Sequence, residues 1–198
     1  MKPLILLDSG HGGMINGIYQ TAPAKMFVHS DATTAYEGVL NRNIKHHVID
    51  LFKKEGIKYV DVCPSELDVP LSVRCNVINN YCDNYDKNNC LLISLHSNAG
   101  GGRGFEIWTT DGTTQSDVYA TKFYNLFKQS FPSIICRQDL TDGDPDKESK
   151  FYILANSNCP AILPEWLFFD NLEDWKYQRI PINQMSYAKM IFNFVNTL

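Results

Sequence analysis

Two short apolar runs that end in the same polar signature constrain this chain more than any other feature. Leu4–Leu7 (LILL) runs into Asp8, Ser9, Gly10, His11, Gly12 and Gly13, and Cys90–Leu95 (CLLISL) runs into His96, Ser97, Asn98, Ala99 and three glycines. Apolar stretches of strand length, bounded by glycine, read as strands buried on both faces. Each therefore delivers a histidine to a strand's carboxyl end, the place where open α/β sheets bind ligands, and the glycines let the backbone approach closely. Two histidines at the same end of two such strands can converge on one ion.

The rest of the chain alternates helical and strand patterns. Met14–Tyr36 has no clear period and reads as a long loop over the crevice, with His29 at the surface. Residues 37–55 read as an amphipathic helix with Leu40, Ile44, Val48, Leu51 and Phe52 on one face and Gly56 as its stop, which leaves His46 and His47 toward solvent. Ile57–Val62 is a short strand, and Leu71–Tyr85 a helix with Leu71, Val77, Ile78, Tyr81 and Tyr85 as its core side. Asp83–Asn89 is a polar turn and Phe105–Thr110 alternates as a strand. Ser116 caps a helix ending at Phe131, and Ile134–Cys136 is a short strand. Asp139–Lys150 reads as a solvated loop, because DGDPDKES lacks the complete EF-hand pattern. Phe151–Leu154 and Pro160–Leu163 are the last strands, with Pro164 and Glu165 ending the second, and Pro181–Val195 is the closing helix. This order implies one three-layer α/β/α domain over residues 1–198, with a mixed, mostly parallel sheet.

Composition narrows the function classes. With 198 residues, 44% hydrophobic and 20% charged, the chain is long enough for a sizeable core. A net charge of −4 with no dense basic run argues against nucleic acid and against anionic membranes. No apolar run suits a membrane span, and the N-terminal run is too short for a signal peptide, so the chain as written is expected to lack a classical export signal. None of the six cysteines forms a CxxC pair, and core thiols are the expected state.

Two acids join the histidines. Glu37 lies three and seven residues before Leu40 and Ile44, so it projects on the core side of its helix, where an ionised carboxylate needs a partner. A metal would be one; a first-turn glutamate favoured by the helix dipole fits the same position. His11, Glu37 and His96 together supply two imidazoles and a carboxylate, the ligand set of a catalytic zinc that keeps a position for water, and Glu165, after a strand at the same edge, would handle protons. Arg74 and Asn98 are substrate-binding or supporting groups, with structural hydrogen bonding an equal reading. A zinc carboxypeptidase-like peptidase uses the same ligand types, and a non-catalytic binding module that keeps the fold is the alternative from another class.

Taken in order, LDSGHGG, YEGVLNRNI, LSVRCN, LLISLHSNAGG with GFEIW, and PAILPEWLFFDN resemble the zinc-dependent N-acetylmuramoyl-L-alanine amidases of the amidase-3 type. The resemblance covers most of the chain. It implies one Zn²⁺ on His11, Glu37 and His96, and Glu165 as catalytic acid and base. It implies a twisted mixed sheet flanked by helices, and cleavage of the amide joining N-acetylmuramic acid to L-alanine of the peptidoglycan stem peptide. Ser9 stands where such enzymes usually have proline, Leu167 where a glycine commonly follows the catalytic glutamate, and Pro164 directly precedes that glutamate. The implied setting is the cell wall, periplasmic or extracellular, reached for instance as a phage lysin held in the cytoplasm until release. The expected partner is peptidoglycan alone, bound by a monomer.

Overall fold

The computed structural model describes residues 2–198. In chain order the elements are β1 (Leu4–Ser9), β2 (Met14–Ile15), β3 (Ile18–Tyr19), β4 (Met26–Val28), β5 (Thr34–Tyr36), α1 (Glu37–Glu55), β6 (Tyr59–Asp61) and α2 (Leu71–Tyr85). They continue with β7 (Cys90–Asn98), β8 (Glu106–Thr109), α3 (Gln115–Ser130), β9 (Lys147–Glu148), α4 (Tyr152–Ala155), β10 (Ala161–Phe168), α5 (Leu172–Gln178) and α6 (Pro181–Asn196). Six strands form one sheet in the order β6-β1-β7-β10-β8-β9. The first four run parallel; β8 is antiparallel to β10, and β9 is parallel to β8.

Parallel strands need crossovers, and the crossover helices cover both faces. Alternation along β1 divides the core. Ile5 and Leu7 point into the cluster made with Ile44, Val48 and Phe52 of α1, Phe123 and Phe127 of α3, and Ile191 and Phe194 of α6. Leu4 and Leu6 point the other way, onto Cys75, Ile78 and Cys82 of α2 and Ile153 and Leu154 of α4. The result is the three-layer, mostly parallel α/β/α architecture that the sequence implies. Helix α1 begins at Glu37 and ends where Gly56 turns left-handed at φ 67°, its N–H returning to the carbonyls of Phe52 and Lys53.

Several expectations are corrected. Met14–Tyr36 is not an open loop but two small hairpins, β2-β3 and β4-β5, and His29 is buried, its ring stacked on Trp175 and its Nε2 2.9 Å from the Phe169 carbonyl oxygen. Leu71, Tyr81 and Tyr85 are exposed; α2 instead turns Arg74, Cys75, Ile78 and Cys82 inward, a stripe fixed by the bonds Arg74 makes under β1. The polar turn after α2 is confined to a 3₁₀ turn at Lys87–Asn89. Thr114, not Ser116, caps α3, in a reciprocal capping box with Asp117. Ser116 Oγ accepts the Ala161 N–H instead. Ile134–Cys136 contributes one bridge, Phe105 to Cys136, rather than a strand.

Phe151–Leu154 is helical, because a four-residue apolar run has no period to separate the two states, and α4 uses it to press Ile153 and Leu154 under the sheet. The last strand does not end at Pro164: β10 runs on to Phe168, with Pro164 opposite Ile107. Helix α5 lacked a clear apolar period and was missed. In α6 the inward residues are Gln184, Tyr187, Ala188, Met190, Ile191, Phe194 and Val195, with Met185 and Phe192 half-buried. All six cysteines are free thiols, four of them buried.

The core reading carries a test. Phe127 is fully buried and stacks on Phe105 with ring centroids 3.8 Å apart. Phe127→Ala is expected to lower the unfolding free energy by about 3–5 kcal/mol in urea titrations. Ile182→Ala, at a side chain 65% exposed on α6, is expected to leave it within about 0.5 kcal/mol.

Candidate metal centre and active site

His11 follows β1 directly and adopts a left-handed backbone, φ 65°, a conformation that costs energy in a non-glycine residue. Two buried arginines hold it there. Arg42 of α1 and Arg74 of α2 both donate to the His11 carbonyl oxygen. Arg74 also donates to Asp8 Oδ1 at 3.1 Å, to the Ser9 carbonyl at 2.6 Å and to the Val69 carbonyl at 2.8 Å, while Ser94 Oγ donates to Asp8 Oδ2 at 2.7 Å. The mouth of β1 is thus tied to α1, α2 and β7 at once.

His96 lies near the end of β7, and Glu37 opens α1 beneath it. Glu37 is 1% exposed, and its Oε1 sits 3.3 Å from His11 Nε2 and 3.0 Å from His96 Nδ1. One ligand atom from each of the three residues lies within 4.8 Å of the others. The two rings meet edge to face, centroids 5.2 Å apart. Two glycines make this convergence possible: a Cβ on Gly10 would fall 2.1 Å from His96 Cε1, and one on Gly38 would fall 1.9 Å from the Gly12 carbonyl oxygen. Around Glu37, Asn41 Nδ2 and the Ser97 N–H lie 3.5 and 3.4 Å from Oε1, and Lys25 Nζ lies 3.6 Å from Oε2.

Burial alone would raise the Glu37 pKa, but the two imidazoles overcome it and hold the carboxyl well below its usual range. Burial would likewise lower His96, yet Glu37, Glu165 and Asp8 hold it above its ordinary value. His11 Nε2 and Glu37 Oε2 are buried without a hydrogen-bond partner. Buried polar atoms left in this way beside one another fit a divalent cation, and two imidazoles with one carboxylate are a donor set suited to zinc.

Glu165 is not after its strand but within it. It pairs in register with His96 of β7 on one side and Glu106 of β8 on the other, so the acid stands next to the histidine across the sheet. Burial, with Glu37 and Glu106 nearby and against the pull of His96 and Lys25, pushes its pKa up to about 8. Its Oε2 is buried and unpartnered. The register shifts between Glu165 and Phe168, and Leu167 takes φ 91°, a left-handed conformation in which glycine would be unstrained. Leu167 is the position where glycine is usual in the resembling enzymes.

A cavity of about 650 Å³ opens over these groups, lined by His11, His96 and Glu165, by Lys25 and Asp68, and by an apolar side that includes Leu71, Phe151 and Tyr152. Arg74 lines it too, though its guanidinium is committed to the protein. Asn98 also lines the cavity; its Nδ2 donates to Glu106 Oε2 at 3.1 Å and its Oδ1 accepts the Ala99 N–H. The sequence reading missed Arg42 and Lys25. Arg42, two residues from Leu40 and from Ile44, lies off the apolar stripe that spacing draws on α1, so no local signal marked it as buried, and Lys25 reaches the site only through the β4-β5 hairpin.

A sequence profile of the N-acetylmuramoyl-L-alanine amidases matches residues 5–197. The chain belongs to this family. It is 27% identical to the endolysin of Bacillus phage SPP1 over 179 residues, 88% of this chain and 58% of that protein. Among solved structures, an N-acetylmuramoyl-L-alanine amidase from Clostridium difficile 630 superposes with TM-score 0.74 at 22% identity, covering 100% of this chain and 97% of that one. The amidase Ami1 of Mycobacterium smegmatis gives TM-score 0.76 at 17% identity over 99% of this chain and 98% of that one. The chain spans 58% of the length of the curated relatives it matches. Among the described residues, no helix of this amidase-family chain is long and apolar enough to cross a membrane.

The close approach at Gly10 predicts a specific defect. Gly10→Ala is expected to push the His96 ring aside and weaken any divalent-cation binding at the His11, Glu37 and His96 cluster about 10–100-fold, read by chelator competition.

Proposed function

We propose that this chain, acting as one catalytic domain, is a zinc-dependent peptidoglycan hydrolase that cleaves the amide between N-acetylmuramic acid and the L-alanine of the stem peptide. The observation that carries the reading is the meeting of His11, Glu37 and His96 beside Glu165 in a chain of the amidase family. His11, Glu37 and His96 would hold one Zn²⁺. Bound zinc supplies a Lewis acid for the scissile carbonyl and makes water acidic enough to act as nucleophile near neutral pH.

The protein's own groups do the rest. Glu165, whose burial lifts it above the ordinary carboxylate range, is when ionised a stronger base than an exposed glutamate: it accepts the proton of the attacking water and returns it to the leaving nitrogen of L-alanine. The unpartnered Oε2 faces no competing donor. Lys25, 3.6 Å from Glu37 Oε2, offsets the negative charge of two neighbouring carboxylates. The apolar side of the cavity, with Phe151 and Tyr152, suits the flat faces of a sugar ring. Arg74 holds the site together from beneath, while Asn98, at the rim and already bonded to Glu106 and the Ala99 N–H, has one amide N–H and one carbonyl lone pair left to offer substrate. The endolysin relative from a Bacillus phage supports action on the cell wall, periplasmic or extracellular, with peptidoglycan as the partner.

Digestion of purified peptidoglycan followed by mass analysis tests the bond cleaved: released peptides should begin with a free L-alanine amino group. Release of single amino acids from peptide carboxyl ends would instead favour a carboxypeptidase. Glu165→Gln is expected to lower turnover at least ~10²-fold while zinc content by atomic absorption stays at the wild-type level. His11→Ala is expected to lose both metal and activity.

A further inference from the structure

The segment before α4 places Asp142, Asp144, Asp146 and Glu148 at alternate positions, and the sequence reading takes it as solvated. The structure corrects that at Asp146, which is 2% exposed. Its Oδ2 accepts a hydrogen bond from Thr109 Oγ1 of β8 at 2.6 Å. Its Oδ1 is buried with no hydrogen-bond partner, and so is Asp144 Oδ1. The Asp144 carboxyl lies within hydrogen-bonding reach of Asp146, and Asp117 in the first turn of α3 adds a third negative charge nearby.

The neighbouring cations are engaged elsewhere. Lys147 Nζ is 2.9 Å from Glu106, and Lys150 Nζ is 3.5 Å from Asp111. Among the described residues no lysine, arginine or histidine pairs with Asp144 or Asp146. Two apposed carboxyl groups, one of them inside the protein, need either a shared proton or a cation, since a buried charge without a partner costs several kcal/mol. The available donors are all oxygens, and they sit in a run of bends whose backbone at Gly143 turns left-handed, φ 109°. Oxygen-only donors select a hard ion, and irregular backbone geometry suits the flexible coordination of Ca²⁺ better than the near-ideal octahedron that Mg²⁺ requires.

We propose that Asp144 and Asp146 form a Ca²⁺ site that fixes the acidic loop against the end of β8. It takes free Ca²⁺, and with two protein carboxylates its affinity falls in the ~10⁻⁴–10⁻³ M range of extracellular modules. The site is independent of the amidase reading, and it has a path to the active site. The loop continues into β9, where Lys147 pairs with Trp108, and the Lys147 ammonium holds Glu106, the register neighbour of Glu165. Calcium would therefore order the strand that flanks the catalytic acid from the side opposite His96.

The test uses the whole chain with no chelator present, so that the histidine site is untouched. Trp108 lies opposite Lys147, close enough to the loop for tryptophan excitation to sensitise Tb³⁺ luminescence, and Ca²⁺ should quench that signal by displacement. Ca²⁺ at about ten times its Kd is expected to raise Tm by about 3–6 °C. Asp146→Asn and the less buried Asp144→Asn are expected to abolish both signals, and Asp146→Asn, which cannot ionise, should match or exceed the wild-type Tm in calcium-free buffer above about pH 8.

The pH dependence supplies the second arm. Burial, Asp144 and Asp117 push Asp146 up to about 8, above its value in the unfolded chain. The calcium-free protein should therefore be stabilised in acid and lose that stability as pH rises toward about 8. Ca²⁺ should remove this loss. An unchanged Tm with Ca²⁺, an equal shift in Asp146→Asn, or the same pH-dependent loss with and without Ca²⁺ would each overturn the proposal in favour of a proton shared by the two acids.

Discussion

Burial of one carboxylate organises this molecule. Glu37 is nearly inaccessible at the head of α1, and an ionised acid there is tolerable only because two imidazoles, an amide, a backbone N–H and an ammonium surround it. Satisfying it dictates where everything else goes. Helix α1 must lie close enough to β1 for the Gly12 carbonyl to touch Gly38, which leaves no room for a side chain at that position. The turn after β1 must present His11, and β7 must extend past its apolar run so that His96 arrives from above. The same convergence brings one ligand atom from each of His11, Glu37 and His96 within 4.8 Å of the others, the donor set of a candidate divalent-cation site.

The sheet sets the second half of the geometry. Parallel pairing of β7 with β10 aligns His96 and Glu165, and antiparallel pairing of β10 with β8 aligns Glu165 and Glu106. Three ionisable groups thus lie in a row across adjacent strands. Glu106 is neutralised on its far side by Arg137 and Lys147 and by Asn98, so the row runs from imidazole through a carboxyl of raised pKa to a paired carboxylate. The middle member is the one without a fixed partner. An acid in that position can change its charge without breaking a structural hydrogen bond, which is the property that proton transfer requires.

The sequence carried the parts of this design that depend on local pattern. Leu4–Leu7 is apolar throughout and Cys90–Leu95 at every position but Ser94, so both announce strands buried on two faces, and the helical stripe of residues 37–55 puts Glu37 on the core side. What the pattern could not show is what tertiary contact decides. Leu71, Tyr81 and Tyr85 looked inward by spacing, but Arg74 outweighed them because its five donors find Asp8 and three carbonyls beneath β1. Phe151–Leu154 was too short to have a period. His29 sat in a polar stretch with nothing local to mark it, and it is buried by Trp175 from α5, a helix without a clear apolar stripe. Asp146 is hidden for the same reason: its partner Thr109 is distant in sequence and belongs to another strand.

Backbone strain clusters where the chemistry is. Among the described residues five non-glycine residues have positive φ; Asn16 and Ala32 turn the tips of the β2-β3 and β4-β5 hairpins, and the other three, His11, Lys25 and Leu167, belong to the site or its rim. Each is held by bonds from elsewhere in the fold. His11 is fixed through its carbonyl by Arg42 and Arg74. Lys25 is fixed through its carbonyl by the Tyr19 hydroxyl and by the N–H of Glu37 itself, so the residue whose ammonium approaches Glu37 Oε2 is anchored by the same glutamate's backbone. Leu167 is fixed by the next peptide, where the Phe168 N–H donates to Asp174, an acid that also receives the Gly104 N–H. Conformations of this kind cost about 1–3 kcal/mol each and persist only where the surroundings over-determine them. Around His11 and Leu167 the surroundings are the buried arginines and the α5 acid. Their role in the site is therefore mechanical: they hold the backbone from which His11 and Glu165 reach into the cavity.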